Sequence, residues 1–217
     1  MPTFSVVVAN STHYKYAEAI CNEMSESAKA RGTGIAKRTP EYILKQMEAG
    51  KSVIALAKEG KEEKVAGFCY IERWEEKKYA ANSGLLVFPE YRQHGLARKI
   101  KAKAFELSRT RYPNAKLFGL TTSLAVMKIN SELGYYPVTF EQLTQDDEFW
   151  KGCHSCVNYE ILQSKNRKNC LCTAMLFDPS KKKKSKWDFI SNLNVIKRLK
   201  SIKESTFLKK FSRAFAS

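Results

Sequence analysis

The sequence has 217 residues, of which 43% are hydrophobic and 12% aromatic, enough to bury the core of one globular domain and to exclude a disordered chain. Its net charge of +16 is concentrated at one end, because residues 180–217 contain 12 Lys and Arg against 2 Asp and Glu, leaving +6 for residues 1–179. We therefore predict a domain over 1–179 and a basic extension over 180–217, and the modest charge of the domain argues against nucleic-acid binding.

Several features of the sequence bear on its location. No apolar run approaches the roughly 20 residues of a membrane span, and Met1–Ser5 lacks the basic segment that opens a signal peptide. Without a secretory signal, the six cysteines are expected to be reduced thiols. We expect a cytoplasmic protein without a transmembrane segment.

Strands and helices alternate through the first half of the chain. The β-branched run Phe4–Ala9 predicts a strand, and apolar residues at helical spacing predict a helix over 13–30. Thr39 and Pro40 have the residue types of a helix N-cap and first turn, and Gly50 ends that second helix. Three strands are then predicted in succession, at 52–57, 65–74 and 79–88.

The second half continues the alternation. We predict helices over 96–111 and 123–133, the latter stopped by Gly134, and strands over 116–120, 157–162 and 170–177. The fold class is therefore α/β (α+β) with a mixed, mostly antiparallel sheet. In the basic extension, apolar residues from Trp187 to Ile202 fall on a helical stripe, which either docks on the domain or binds anionic lipid or nucleic acid.

One segment, residues 85–98, has the features of an anion-binding turn. An apolar strand runs into Pro89, and a turn then delivers Gly95 and the small Ala97 at the start of an amphipathic helix. The first amides of a helix have no partners within it and favour an anion, as in pyrophosphate sites. Arginine and lysine side chains add positive charge around this turn: Arg92, Arg98, Lys99 and Lys101.

The residues Val87-x-Pro-x-Tyr-Arg-x-x-Gly-x-Ala97 resemble motif A of the GNAT superfamily of N-acyltransferases. A helix that ends in Leu133-Gly134-Tyr135 is similar to a second element of that family. The resemblance implies that an acyl group moves from acetyl-CoA or another acyl-CoA to an amine. It also implies which residues bind the co-substrate: the backbone of Leu85, Leu86 and Val87 for the pantetheine, and Arg92, Gln93, His94, Gly95, Leu96, Ala97 and Arg98 for the pyrophosphate.

The catalytic residues depart from the family pattern. Where the family often has a tyrosine that protonates the leaving thiolate, this sequence has Asn130, which can only hydrogen-bond to it. The alternative is that coenzyme A leaves as the thiolate without an acid. Glu72 is the one candidate for a base that deprotonates the acceptor amine, and a solvated position on its strand is an equal alternative.

The acceptor is suggested by a second resemblance. The segments 34–41, 120–122 and 134–138 are similar to the acyltransferase domain of N-acetylglutamate synthases, which implies L-glutamate as acceptor and a role in arginine biosynthesis. Lys37, Arg38 and Thr121 are then the candidate acceptor-binding residues, with Arg38 preferred because a guanidinium grips a carboxylate through two hydrogen bonds. Solvated loop charges are the alternative for Lys37 and Arg38.

Four cysteines form two close pairs, Cys153 with Cys156 and Cys170 with Cys172. Such pairs in a reduced compartment are typical of zinc sites. Against zinc, Cys170 and Cys172 alternate on a predicted strand, and a hairpin turning near 165–168 would place Cys172 beside Ile161. We therefore assign no metal.

Two other functions stay open. One is acylation of a protein N-terminus, a lysine or another amine, which an open acidic groove would favour. The other is a catalytically silent GNAT-like binding module, which the missing tyrosine at Asn130 keeps in play. The sequence also leaves open a homodimer.

Overall fold

The computed structural model describes residues 2–32 and 38–181. The described elements belong to one compact unit, Met1–Ser180. The predicted roles of Lys37 and of the basic extension beyond Lys181 fall outside the described residues and stay predictions. Within the described ranges, no helix is long and apolar enough to cross a membrane.

The described residues form one seven-stranded sheet in the order β1-β2-β3-β4-β5-β7-β6. Every neighbouring pair of strands is antiparallel except β4 and β5, which are parallel. The mixed, mostly antiparallel sheet predicted from the sequence is therefore confirmed. The strands are β1 (Thr3–Val8), β2 (Ser52–Glu59), β3 (Glu62–Trp74), β4 (Tyr79–Val87), β5 (Lys116–Thr121), β6 (Tyr136–Val138) and β7 (Thr173–Phe177).

Six α-helices flank the sheet in the described part of the chain: α1 (Ala17–Arg31), α2 (Pro40–Glu48), α3 (Leu96–Arg111), α4 (Leu124–Glu132), α5 (Asp147–Lys151) and α6 (Tyr159–Ser164). Two predicted helix starts are confirmed by their caps. The Thr39 hydroxyl accepts a hydrogen bond from the Tyr42 amide at 3.3 Å, and the Ser123 hydroxyl accepts one from the Val126 amide at 3.4 Å. A 3₁₀ turn over Ser11–Tyr16 precedes α1, so the first helix begins irregularly.

Both faces of the central strands are covered, which explains why β2 reads as a continuous apolar run. Ile54 and Leu56 pack against α1 and α2 on one face. Val53 and Ala55 pack against α3 on the other face, around Ile100. Packing against the sheet therefore fixes the position of α3 relative to β4, and the site described below depends on that arrangement.

The predicted strand over 157–162 is wrong, because these residues lie in α6 and the turn before it. The apparent alternation of apolar residues came from Val157, 72% exposed, and Ile161, 37% exposed. Leu162, which is buried, belongs to the helical pattern, and its amide donates to the carbonyl of Asn158 at 3.3 Å. A short apolar run cannot by itself separate a strand from a helix. Two elements, β6 and α5, were not predicted from the sequence.

Candidate functional site

A cleft opens where β4 and β5 separate. The two strands pair only over Tyr79–Ala81 and Lys116–Phe118, and their later residues, Asn82–Val87 and Gly119–Thr121, line or flank a cleft of about 950 Å³. A strand edge that has lost its partner can pair with an extended ligand instead. The predicted pantetheine-binding residues Leu85–Val87 lie on this edge of β4.

A β-bulge bends β4 where it leaves β5. The register between β3 and β4 shifts between Phe68 and Tyr70, and Gly84 on the facing strand has φ of +62°. A Cβ atom at Gly84 would lie 2.8 Å from the Cε of Met24 and would overlap the Tyr70 ring. Both the positive φ angle and the lack of room for a Cβ atom therefore require glycine at position 84.

The predicted phosphate-binding turn follows β4 directly in the chain and leads into α3. Gln93 and Gly95 adopt left-handed angles, with φ of +68° and +72°, and Gly95 is the N-cap of α3 without a side-chain cap. The amides of Leu96, Ala97 and Arg98 form the first turn of α3, where the helix dipole favours an anion. A Cβ at Gly95 would meet nothing within 4 Å, so a ligand can approach the backbone closely.

The charged side chains of this turn are held by neighbouring elements. The Arg92 guanidinium lies 3.5 Å from Glu23 of α1, and the His94 Nδ1 lies 2.8 Å from the Arg92 carbonyl oxygen. Arg98 donates two hydrogen bonds, of 2.8 and 2.9 Å, to Glu132 of α4. The Arg98–Glu132 pair is exposed on both sides, and exposed pairs contribute only ~0–1 kcal/mol, so Arg98 can exchange the carboxylate for a phosphate.

Lys101 does not lie with these surface charges, contrary to the sequence interpretation. It is 2% exposed and lines the cleft between β4 and β5. The helix turns its side chain inward because Lys101 shares the buried face of α3 with Ala104 and Ser108.

Arg38 lies on the cleft wall just before α2, where it meets residues of β3. Its Nη2 donates to the Glu72 carboxylate at 3.0 Å, and its Nε donates to the Tyr70 hydroxyl at 2.9 Å. The Tyr42 hydroxyl donates to the same Glu72 oxygen at 2.5 Å. The side chains of Arg38 and Glu72 are only 18% and 14% exposed. The alternatives in which Arg38 and Glu72 are solvated surface charges are therefore wrong.

The two tyrosines of this network were not among the residues predicted from the sequence. Burial and the nearby Glu72 carboxylate raise the pKa of Tyr42, and the same causes raise that of Tyr70 well above its ordinary value, so both hydroxyls stay protonated. The Tyr42 hydroxyl donates to Glu72, whereas the Tyr70 hydroxyl accepts from Arg38. The sequence did contain a feature that could have identified Tyr70, since Tyr70 and Glu72 are two residues apart on one strand and share a face.

Asn130 is 1% exposed and lines the cleft from α4. Its amide nitrogen lies 3.8 Å from the sulfur of Met175, while its buried Oδ1 has no hydrogen-bond partner within the described residues. Thr121 also lines the cleft, and its hydroxyl accepts a hydrogen bond from the Ser123 amide at 3.0 Å. The structure thus brings the predicted residues Arg38, Thr121 and Asn130 to one cleft.

The four clustered cysteines are free thiols, and β7 begins at Thr173, so the prediction that Cys170 and Cys172 alternate on a strand is wrong. The predicted register beside Ile161 fails with the strand over 157–162. Burial and neighbouring thiols raise the pKa of Cys153 to about 11 and that of Cys172 to about 12. Within residues 2–32 and 38–181, no group of three or more candidate ligands is placed to hold a metal ion.

A helix N-terminus suited to phosphate follows a strand edge that can pair with an extended ligand, and the two together suit an extended phosphate-bearing co-substrate. The sequence model of the acetyltransferase (GNAT) family matches residues 18–128, and the chain belongs to that family. This confirms the predicted class, an acyl-CoA-dependent N-acetyltransferase with acyl-CoA as co-substrate. No curated protein matches the chain.

Solved structures with a similar fold share little sequence with this chain. N-acetylglutamate synthase from Neisseria gonorrhoeae, complexed with coenzyme A and N-acetyl-glutamate, has a TM-score of 0.55 and 15% identity, covering 82% of this chain and 36% of that one. Rv2747 from Mycobacterium tuberculosis, in complex with CoA, has a TM-score of 0.54 and 14% identity, covering 80% and 98%. YncA from Salmonella typhimurium, with its cofactor acetyl-CoA, has a TM-score of 0.53 and 15% identity, covering 83% and 96%. This chain therefore spans about a third of the Neisseria protein, and at these identities the likeness concerns the fold.

Proposed function

We propose that this protein transfers an acetyl or other acyl group from acyl-CoA to the amino group of a small amino acid, L-glutamate. The observation that supports this most directly is the Arg38–Glu72 pair on the cleft wall, with 3.0 Å between Nη2 and Oε1. An amino acid presents one carboxylate and one ammonium group, which match a guanidinium and a carboxylate side by side. Arg38 would bind the carboxylate, and Glu72 would face the reacting amine.

A second group of cations favours an acceptor with a second carboxylate. Lys51 and Arg73 both line the cleft, and neither has an ion pair within the described residues. Burial, then repulsion by Arg73 and Arg111, lowers the pKa of Lys51, so an anion bound there would relieve the repulsion. Glutamate supplies such an anion in its side chain. The similarity to the Neisseria N-acetylglutamate synthase fold agrees with this acceptor.

In the proposed reaction the neutral amine attacks the thioester carbonyl directly. The cleft positions the two reactants, which is the main source of rate in such a transfer. Glu72 takes the proton from the acceptor ammonium, directly or through water. Arg38 and Tyr42 fix the Glu72 carboxylate in place through their hydrogen bonds.

The test measures release of free thiol from acetyl-CoA and from succinyl-CoA across a panel of amino acids. We expect turnover with glutamate, and we expect Arg38→Gln to raise KM for glutamate about 10- to 100-fold, the loss of a hydrogen-bonded charge pair. KM for acyl-CoA should stay the same. Arg167→Gln is the control, since Arg167 pairs with Asp147 outside the cleft. No turnover with glutamate would reject this acceptor.

A protein or peptide amine is the second candidate. Acidic residues line another part of the cleft and would attract a basic peptide: Glu75, Glu76, Asp146 and Glu148. A lysine-rich peptide that releases thiol faster than any amino acid would favour this candidate. Coenzyme A binding without thiol release for any amine would instead support the silent binding module.

The proposal agrees with the pathway and the cellular location that were predicted from the sequence. Acylation of glutamate would place the protein in arginine biosynthesis. The six free thiols support the predicted cytoplasmic location, where thiols stay reduced.

A further inference from the structure

The position of Lys101 follows from the register of α3 against β4. Ser108 of α3 accepts a hydrogen bond of 2.7 Å from the side-chain amide of Asn82, the first β4 residue beyond the pairing with β5. Lys101 lies two helical turns before Ser108, about 10 Å along the axis. Since α3 joins two parallel strands, it runs antiparallel to them, so Lys101 lies nearer than Ser108 to the end of β4 that leads into the phosphate-binding turn.

The Lys101 ammonium group lies in the cleft without an ionic partner. In the described part of the chain it makes no ion pair or hydrogen bond, and its Nζ lies 5.2 Å from the centre of the Tyr135 ring. The titratable groups that face it are Cys69 of β3 and Tyr135 after α4. Burial raises the pKa of Cys69 to about 11 and that of Tyr135 further, so both are neutral at pH 7.

Burying an ammonium group without an ionic partner costs free energy of folding. The presence of Lys101 in this position therefore indicates a functional role. Burial lowers the pKa of Lys101 to about 8, and the Cys69 thiol acts in the opposite direction with the smaller effect. A lysine with such a pKa is still protonated at pH 7 and can release its proton to a thiolate. Pocket lysines with a lowered pKa are recurrent in catalysis.

The polar residue that α4 contributes to the cleft is not an acid, because that position is occupied by Asn130. Asn130 stands where the family often has a tyrosine, and an amide does not supply a proton. Lys101 and Asn130 both line the cleft, with Lys101 reaching it from α3 and Asn130 from α4. The two residues therefore complement each other, because Asn130 offers a hydrogen-bonding amide and Lys101 offers charge and a proton.

We propose that Lys101 protonates the coenzyme A thiolate as it leaves. This inference rests on the proposed acyl transfer. The amine nitrogen forms a bond to the thioester carbon, the carbon–sulfur bond breaks, and its electron pair stays on sulfur. A proton then passes from Lys101 Nζ to sulfur, giving coenzyme A thiol and a neutral lysine. Glu72 already holds the proton of the acceptor ammonium, so the second proton, which the nitrogen loses as the amide forms, goes to water. After the product leaves, Glu72 releases its proton to water and Lys101 regains one from water.

The first test needs no turnover. Free coenzyme A is bound to the protein, and its thiol pKa is followed through the ultraviolet absorbance of the thiolate. The Lys101 charge should lower the pKa of the bound thiol, Lys101→Met should raise it, and Lys101→Arg should keep it low. Lys103→Met is the matched control, because Lys103 is on the same helix but pairs with Glu106 at the surface. A thiol pKa that is the same in all four proteins overturns the proposal.

The second test is kinetic. We expect Lys101→Met to lower kcat about 100-fold or more, within the range for general acids, while KM for the acceptor changes little. Lys101→Arg should not restore kcat, since arginine keeps the charge but does not release a proton. Unchanged kcat in Lys101→Met, or loss of coenzyme A affinity with normal kcat, rejects the proton-donor role. If the wild type releases no thiol with any amine, the proposed function fails, and the thiol titration alone decides whether Lys101 acts on the sulfur.

Discussion

Replacing Lys101 by methionine removes a buried ammonium group and keeps nearly the same side-chain length. In the folded protein the pKa of Lys101 is lowered from 10.5 to about 8, mainly by burial. Each pKa unit corresponds to about 1.4 kcal/mol, so holding the charged form inside the protein costs about 3 kcal/mol at neutral pH. We therefore expect Lys101→Met to be more stable than the wild type at pH 7 by about that amount, although its catalysis is impaired.

The sign of the pH dependence follows from proton linkage. Between pH 8 and 10.5 the unfolded chain binds more protons at this lysine than the folded chain, so the wild type gains stability as the pH rises through this window. The advantage of Lys101→Met should accordingly be full below pH 8 and should disappear near pH 10.5. For a domain of this size, about 3 kcal/mol raises Tm by roughly 6–12 °C.

Urea unfolding followed by circular dichroism, at pH 7 and again near pH 10, measures both effects. Lys103→Met should change the free energy of unfolding by less than about 0.5 kcal/mol, as expected for a surface position. A Lys101→Met protein that is less stable than the wild type at pH 7 would refute the reasoning. So would a stability difference of the same size at both pH values.

Three further predictions test other parts of the site. Gly84→Ala should lower the free energy of unfolding by more than about 2 kcal/mol in urea titrations, from strain and steric overlap; Gly60→Ala, with φ of +60° but open space, should cost less. Tyr42→Phe should raise KM for the acceptor about tenfold without changing KM for acyl-CoA in steady-state kinetics, because the Glu72 carboxylate loses a donor; equal changes in both constants would contradict this. Gly95→Val should weaken coenzyme A binding at least tenfold by calorimetry, since a β-branched residue disfavours φ of +72°; unchanged affinity would show that this turn does not hold the phosphates.

The fold was predictable where local signals agree with the tertiary structure. The helix predicted over 96–111 has those bounds in the structure. Its apolar spacing and the glycine at its N-cap both indicate the same first residue. The stretch 157–162 was not predictable in this way, since its alternating apolar residues are exposed and its helix is set by packing of Leu162. Short segments such as β6, three residues long, carry too little pattern to be found.

The candidate site shows the same division. The phosphate-binding turn is local, so the residues 92–98 were identified together from the sequence. The proposed acceptor-binding residues are distant in the sequence. Arg38 and Glu72 are 34 residues apart and meet only through the packing of α2 on the sheet. Lys101 is an intermediate case, because its spacing from Ala104 and Ser108 puts it on the buried face of α3, and that signal outweighs its charge.

The two cations of the cleft differ in a way that fits two separate roles. Arg38 is paired with Glu72 and remains charged at every physiological pH, as a binding group should. Lys101 has no such pair within the described residues, and burial brings its pKa close to the working pH, as a proton donor requires. A carboxylate beside Lys101 would remove the stability cost and would also raise its pKa again, so the proton would no longer be released readily. The instability introduced by Lys101 and its proposed chemistry therefore have one physical origin, a buried charge that no neighbouring carboxylate balances.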